Sequence, residues 1–199
     1  MELLDFGVEV IAVSASGVLA PGPLFVTNIL YGTKGGIRSG LKISHGHAAI
    51  EIGLIVVLAA GLSAAGILSD YSNWIAIVGG IAILGFAGLQ IANTKIKEQK
   101  IKHGPVAAGV FLTVLNPFFL VWWATVGLKL ISDSASFGSY GILLLFFMHV
   151  WMDYAWLAAT AYLASKGKTI RSKYYRPLMI GLSAVLVYYG VNFLITGIK

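Results

Sequence analysis

Two short stretches, HAAIE (His47 to Glu51) and HVWMD (His149 to Asp153), place a histidine four residues before a carboxylate in surroundings that are almost wholly apolar. Residues four apart on a helix share one face, so each histidine can meet its acid or share a water with it. The chain has only eight acidic residues, and a carboxylate in a greasy run is costly unless it is paired, wetted or protonated. The chemistry open to such a pair is proton exchange: histidine titrates near neutrality and a dry carboxyl holds its proton more tightly. His47, Glu51, His149 and Asp153 are therefore expected to form a proton-coupling set.

The elements that must carry these residues follow from composition. Of 199 residues, 58% are hydrophobic and 11% charged, with mean hydropathy +0.85, against about a quarter charged in a soluble domain. An all-α integral membrane protein is expected. A crossing takes roughly 20 apolar residues, which leaves room for about six. Helices are placed at about 6–30, 43–65, 72–94, 105–130, 139–165 and 176–197. Glu2, Asp5 and Glu9 stand where a secretory signal would carry positive charge, so the first apolar run is read as a retained helix. With no cysteine there is no disulfide and no thiolate chemistry.

The connections 31–42, 95–104 and 166–175 hold or abut Lys34, Arg38, Lys42, Lys95, Lys97, Lys100, Lys102, Lys166, Lys168, Arg171, Lys173 and Arg176. Short basic loops face the cytoplasm, which puts both termini outside a multi-pass protein of the inner (cell) membrane. This orientation accounts for the net charge of +6, and nucleic acid is not an expected partner. Tyr71, Trp74, Tyr140, Tyr174 and Tyr175 fall near helix ends as interfacial anchors. Glu9 and Lys129 are near enough to helix ends to be expected in water.

Six helices with both ends outside divide into oppositely oriented halves, 1–104 and 105–199, of one transmembrane domain. VLAPGPLFV (Val18 to Val26) and VLNPFFLV (Val114 to Val121) lie at matching places, and each is followed by its His/acid pair. A 3+3 inverted repeat with helices 1 and 4 interrupted is the expected architecture. Pro21, Gly22 and Pro23 should break helix 1, and Asn116 and Pro117 helix 4. Broken ends leave free N–H groups and partial positive charge able to receive a carboxylate. Asn28, shortly after the first break, joins Pro21, Gly22, Pro23, Asn116 and Pro117 as an expected substrate-binding residue. Glu51 lies nine residues beyond Lys42 and Asp153 thirteen before Lys166, or about 13 and 20 Å into a core about 30 Å thick. Gly79, Gly80, Gly85 and Gly88 suggest close helix packing rather than a binding loop. His45 and His47 of the HGH run point apart, so that run is a poor metal box.

APGP, GGIRSGL (Gly35 to Leu41), ILGFAGLQI (Ile83 to Ile91) and GVFLTVLNP (Gly109 to Pro117) together resemble the lysine-exporter (LysE) superfamily of small six-helix transporters. The resemblance spans most of the chain. It implies a proton-driven efflux carrier, usually of amino acids, in which Pro21, Gly22, Pro23, Asn116 and Pro117 are the discontinuous-helix elements. The His-Gly-His before Glu51 departs from the small residues of typical amino-acid exporters. Relatives in the wider superfamily move metal ions or carry electrons through paired cysteines, and the latter chemistry is closed to a chain without cysteine. The expected function is proton-coupled export of a small solute, foremost an amino acid. The alternative is a divalent-cation exporter or channel using the same carboxylates with His149 as ligands. No enzyme constellation, cofactor or resident metal is expected. The partners are the small-molecule substrate, protons and the lipid bilayer, with a homodimer as the assembly considered.

Overall fold

The computed structural model describes residues 2–20, 22–64, 72–92, 103–167 and 172–198, and all secondary structure among them is helical. The elements are α1 (Leu3–Val18), α2 (Pro23–Ala64), α3 (Ser72–Ala92), α4 (Pro105–Val114), α5 (Pro117–Trp122), α6 (Leu128–Ser134), α7 (Gly141–Ser165) and α8 (Ser172–Ile198). A π-type turn, Trp123–Gly127, joins α5 to α6, and a 3-10 segment, Ala135–Tyr140, joins α6 to α7.

α2 is continuous in hydrogen bonding but not in direction. Gly36 has φ 54° and ψ −144°, a backbone conformation essentially confined to glycine. The two arms, 23–35 and 37–64, lie on α7 in opposite senses. In the first arm Asn28 bonds to Leu157 and Thr160 while Gly32 abuts Ala161, so residue numbers rise together. In the second, Gly40 abuts Leu157, His45 meets Tyr154 and Glu51 meets His149, so they run oppositely. The chain thus reverses within a residue or two of Gly36. Gly138 repeats the conformation, φ 63° and ψ −144°, between α6 and α7. The expected connection 31–42 is accordingly helical on both sides of one glycine, and helix 2 begins about six residues earlier than its apolar pattern suggests. A reversal that needs one positive φ leaves no run of turn residues to read.

Counted through these features, the described residues form six helices: α1 with the first arm of α2, the second arm, α3, α4 to α6, α7 and α8. Two stretches, Pro23–Gly61 and Phe118–Ser165, are long and apolar enough to cross a membrane, and each contains one of the reversals. Both interruptions lie where the prolines put them. α1 ends at Val18, and Leu19 and Ala20 donate back to Ala15 and Gly17. α4 ends at Val114, and Leu115 and Asn116 donate back to Phe111 and Thr113. The chain resumes with Pro23 and Pro117 in the first helical turn, where the missing N–H costs nothing. Asn116 Oδ1 accepts from Phe118 N at 3.1 Å and caps the second of these. Pro21 and the ring of Pro117 lie outside the described residues.

Close crossings hold the helices in register. A Cβ on Gly46 would fall 2.1 Å from Val106 O, and one on Gly109 2.3 Å from Ile43 O, so the second arm of α2 and α4 touch backbone to backbone. Gly80 abuts Gly190 between the antiparallel helices α3 and α8, whereas Gly85 and Gly88 face open space. The apolar core gathers Phe6, Val10, Ile55, Ile83, Trp123, Leu130, Leu145 and Leu186 from all six helices. Trp74 and Tyr140 are exposed, as anchors should be. Lys129, expected in water, is half-buried, paired with Asp133 and set over the Phe193 ring at 4.5 Å. Glu9 is also half-buried, with Oε1 out of solvent and without a hydrogen-bond partner.

Candidate functional site

The reversal at Gly36 sends the second arm of α2 back along α7, and this brings the two His/acid pairs together. His47 Nε2 lies 3.5 Å from Glu51 Oε1 and 3.6 Å from Asp153 Oδ1. His149 Nε2 lies 3.1 Å from Glu51 Oε1 and 3.4 Å from Asp153 Oδ2. All four side chains are buried, Glu51 completely. Each pair meets within its own helix, as i, i+4 spacing requires. The shortest approach nevertheless crosses between helices, from His149 to Glu51. The four side chains, expected as one proton-coupling set, lie in a single cluster.

Three residues that the sequence reading did not single out hold this cluster. Trp123 Nε1 donates to Glu51 Oε1 at 3.2 Å. Its indole is seated by the π-type turn and by Gly127, where a Cβ would fall 2.2 Å from the ring. Such turns insert one residue into a helix and recur at functional sites. His47 Nδ1 lies 2.7 Å from Thr113 Oγ1 on α4, and His149 Nδ1 lies 2.7 Å from Ser14 Oγ on α1. Each histidine is thus tied by its outer nitrogen to a hydroxyl on the helix that precedes an interruption in the opposite half of the chain. Edge contacts from Phe119 to His47 and from Trp123 to His149 close the cluster with aromatic surface. These partners are invisible to local spacing, because Thr113, Trp123 and Ser14 stand 66, 72 and 135 residues from what they hold.

Two carboxylates this close cannot both stay charged in a dry site without cationic partners. The histidines supply one kind of partner, yet Glu51 Oε2 and Asp153 Oδ2 are buried and accept no hydrogen bond. Unsatisfied buried acceptors mark the side from which a proton or cation can be received. One nitrogen of His47 and one oxygen each of Glu51 and Asp153 lie within 4.8 Å of one another, a spacing that can hold a metal ion. In that set His47 takes the place that the sequence reading gave to His149.

Of the residues expected to bind substrate, Gly22 and Asn116 stand together. A Cβ on Gly22 would lie 3.8 Å from Asn116 Nδ2, so the two interruptions adjoin. Asn28 is fully buried and spends its amide hydrogens on Leu157 O at 2.8 Å and Thr160 Oγ1 at 2.9 Å. It ties the first arm of α2 to α7, and its Oδ1 accepts no bond. His45 is exposed and bonds Leu41 O within its own helix, pointing away from the buried His47.

No curated protein and no solved structure matches this chain. A family model does: the LysE type translocator matches residues 15–197, a span that takes in both interruptions, both reversals and all four residues of the cluster. The chain therefore belongs to the LysE type translocator family, and is a membrane transporter rather than an enzyme.

Proposed function

We propose that this translocator exports a divalent metal cation in exchange for protons, with the cation held by His47, Glu51 and Asp153 and with His149 beside them. The observation that carries the reading is the approach of one imidazole nitrogen and two carboxylate oxygens, all buried, to within 4.8 Å of one another. A nitrogen with two carboxylates suits first-row divalent ions better than an all-oxygen cage would. The carboxylates that release the cation are the groups that take up protons, so the two cargoes compete for one site. Six crossings in a 3+3 inverted repeat, with both termini outside, put that site between the halves, where secondary transporters bind. The recurrence of the same glycine conformation, histidine and acid at one offset supports this topology (138 − 36, 149 − 47 and 153 − 51 are each 102).

A second reading keeps an amino acid as cargo, and the adjoining interruptions at Gly22 and Asn116 favour it. There Pro21, Gly22, Pro23, Asn28, Asn116 and Pro117 would bound the carboxylate and the cluster would hold the ammonium. Proteoliposomes loaded in turn with Mn2+, Co2+ and pooled amino acids, under an imposed pH gradient, separate the two. The cation reading expects gradient-driven efflux of the metals that Glu51→Gln abolishes. Efflux of an amino acid that is indifferent to the metals would replace it with the second reading.

A further inference from the structure

The two histidines share one environment but not one hydrogen-bond arrangement. Thr113 Oγ1 donates its only hydrogen to Gly109 O at 2.6 Å. With that hydrogen committed, the oxygen can only accept at its 2.7 Å contact with His47 Nδ1. The donor there is Nδ1–H, so in the neutral ring Nε2 carries the lone pair. The distances from His47 Nε2 to the carboxylates agree: at 3.5 and 3.6 Å they are longer than hydrogen bonds. His149 is the reverse. Its Nε2 approaches Glu51 Oε1 to 3.1 Å, a hydrogen-bond distance to an oxygen that only accepts. Its Nδ1 faces Ser14 Oγ at 2.7 Å, and Ser14 has no second partner among the described residues, so that hydroxyl is free to donate.

We infer that Thr113 is a positioning residue that holds His47 as the Nδ1–H tautomer, so that the two histidines are opposite tautomers with different tasks. His47 turns an unprotonated nitrogen toward Glu51 and Asp153 and serves as the ligand. His149 presents an N–H to Glu51 and steadies that carboxylate. The tautomers follow from the hydrogen bonds alone; their consequence for cargo rests on the cation reading above. Partners of this kind fix ring orientation and tautomer at metal sites, and losing one typically weakens binding by about ten- to a hundredfold.

The test uses full-length protein in detergent, labelled with 15N-histidine and freed of divalent ions. Long-range 1H–15N spectra are taken at a pH alkaline enough for neutral imidazoles and assigned with His47→Gln and His149→Gln. The expected result is Nδ1–H for His47 and Nε2–H for His149; Nε2–H on His47 overturns the inference. The second readout is Co2+ affinity, followed by the absorption of the bound ion. Thr113→Val, which keeps shape and removes the hydroxyl, should weaken Co2+ by about tenfold or more, and Thr113→Ser should recover most of that loss. A Thr113→Val protein that binds Co2+ like the wild type overturns the positioning role while leaving the cation reading intact. If wild-type protein binds no Co2+ yet His47 is Nδ1–H, the tautomer assignment stands and the cation reading falls. The wild-type spectra decide the assignment even if Thr113→Val does not fold.

Discussion

Glu51 gathers two donors on one oxygen, Trp123 Nε1 and His149 Nε2, with the bare His47 Nε2 3.5 Å from the same oxygen, and its other oxygen has no partner. Its charge, more than its shape, organises the cluster. Glu51→Gln and Asp153→Asn should therefore express and fold, yet abolish pH-gradient-driven transport, because each keeps its shape but loses its charge; flux in proteoliposomes checks this. Trp123→Phe removes the N–H together with part of the buried indole; the hydrogen bond to a charged group alone is worth about 1.5–3 kcal/mol, and the cavity adds to the loss. A fall in thermal stability and slowed transport, milder than for Glu51→Gln, is the expected result. The two His/acid pairs were legible in the sequence because four-residue spacing is a local rule. The closer approach across helices was not, since nothing local tells His149 to favour Glu51 over Asp153. Thr113 and Ser14 were equally hidden: a lone hydroxyl in an apolar helix most often bonds its own preceding turn, as Thr113 also does.

At the scale of elements, the glycines sort by what surrounds them. Gly36 and Gly138 occupy a backbone region that a side chain enters at a cost of about 1–3 kcal/mol. Ala at either should lower the unfolding temperature in detergent. At Gly85, which faces open space in a helical stretch, Ala should be neutral or stabilise the protein by up to about 1 kcal/mol. Gly46→Ala meets backbone at 2.1 Å, which cannot move as a side-chain tip does. It should push α4 outward and loosen the bond from His47 Nδ1 to Thr113 Oγ1, lowering stability and transport together. The interruptions were legible because proline states its constraint in sequence. The reversals were not, because among many glycines only the backbone angles single out the two that turn the chain.

For the whole molecule, the proposed topology sets which ends meet which solution. Ser136, in the 3-10 segment before α7, and Lys166, which caps its far end, are both exposed. With both termini outside, a cysteine at Ser136 should react with an impermeant maleimide applied to intact cells, and one at Lys166 only after lysis. Reversed labelling would invert the export direction. Asp133, though acidic and near a helix end, is a poor reporter, since it is occupied by Lys129. The count of six helices among the described residues was readable from hydropathy, which acts over whole segments. The stretches 65–71, 93–102 and 168–171, where several of the loop charges lie, are outside the described residues.

The two glycine reversals also set an electrical coordinate. Glu51 lies fifteen residues from Gly36 (51 − 36) and Asp153 fifteen from Gly138 (153 − 138), or about 22 Å along each helix. Because these helices run oppositely and meet at the carboxylates, the site is equally far from both turns, with about 45 Å between them, the full depth of a bilayer with its headgroups. In the proposed topology, the ion then sits near the middle of the membrane potential. An entering divalent ion crosses half the voltage drop from either face, so each 100 mV changes its binding free energy by about 2.3 kcal/mol, two charges over half the field. Voltage should thus favour loading from one face and oppose it from the other with equal slope.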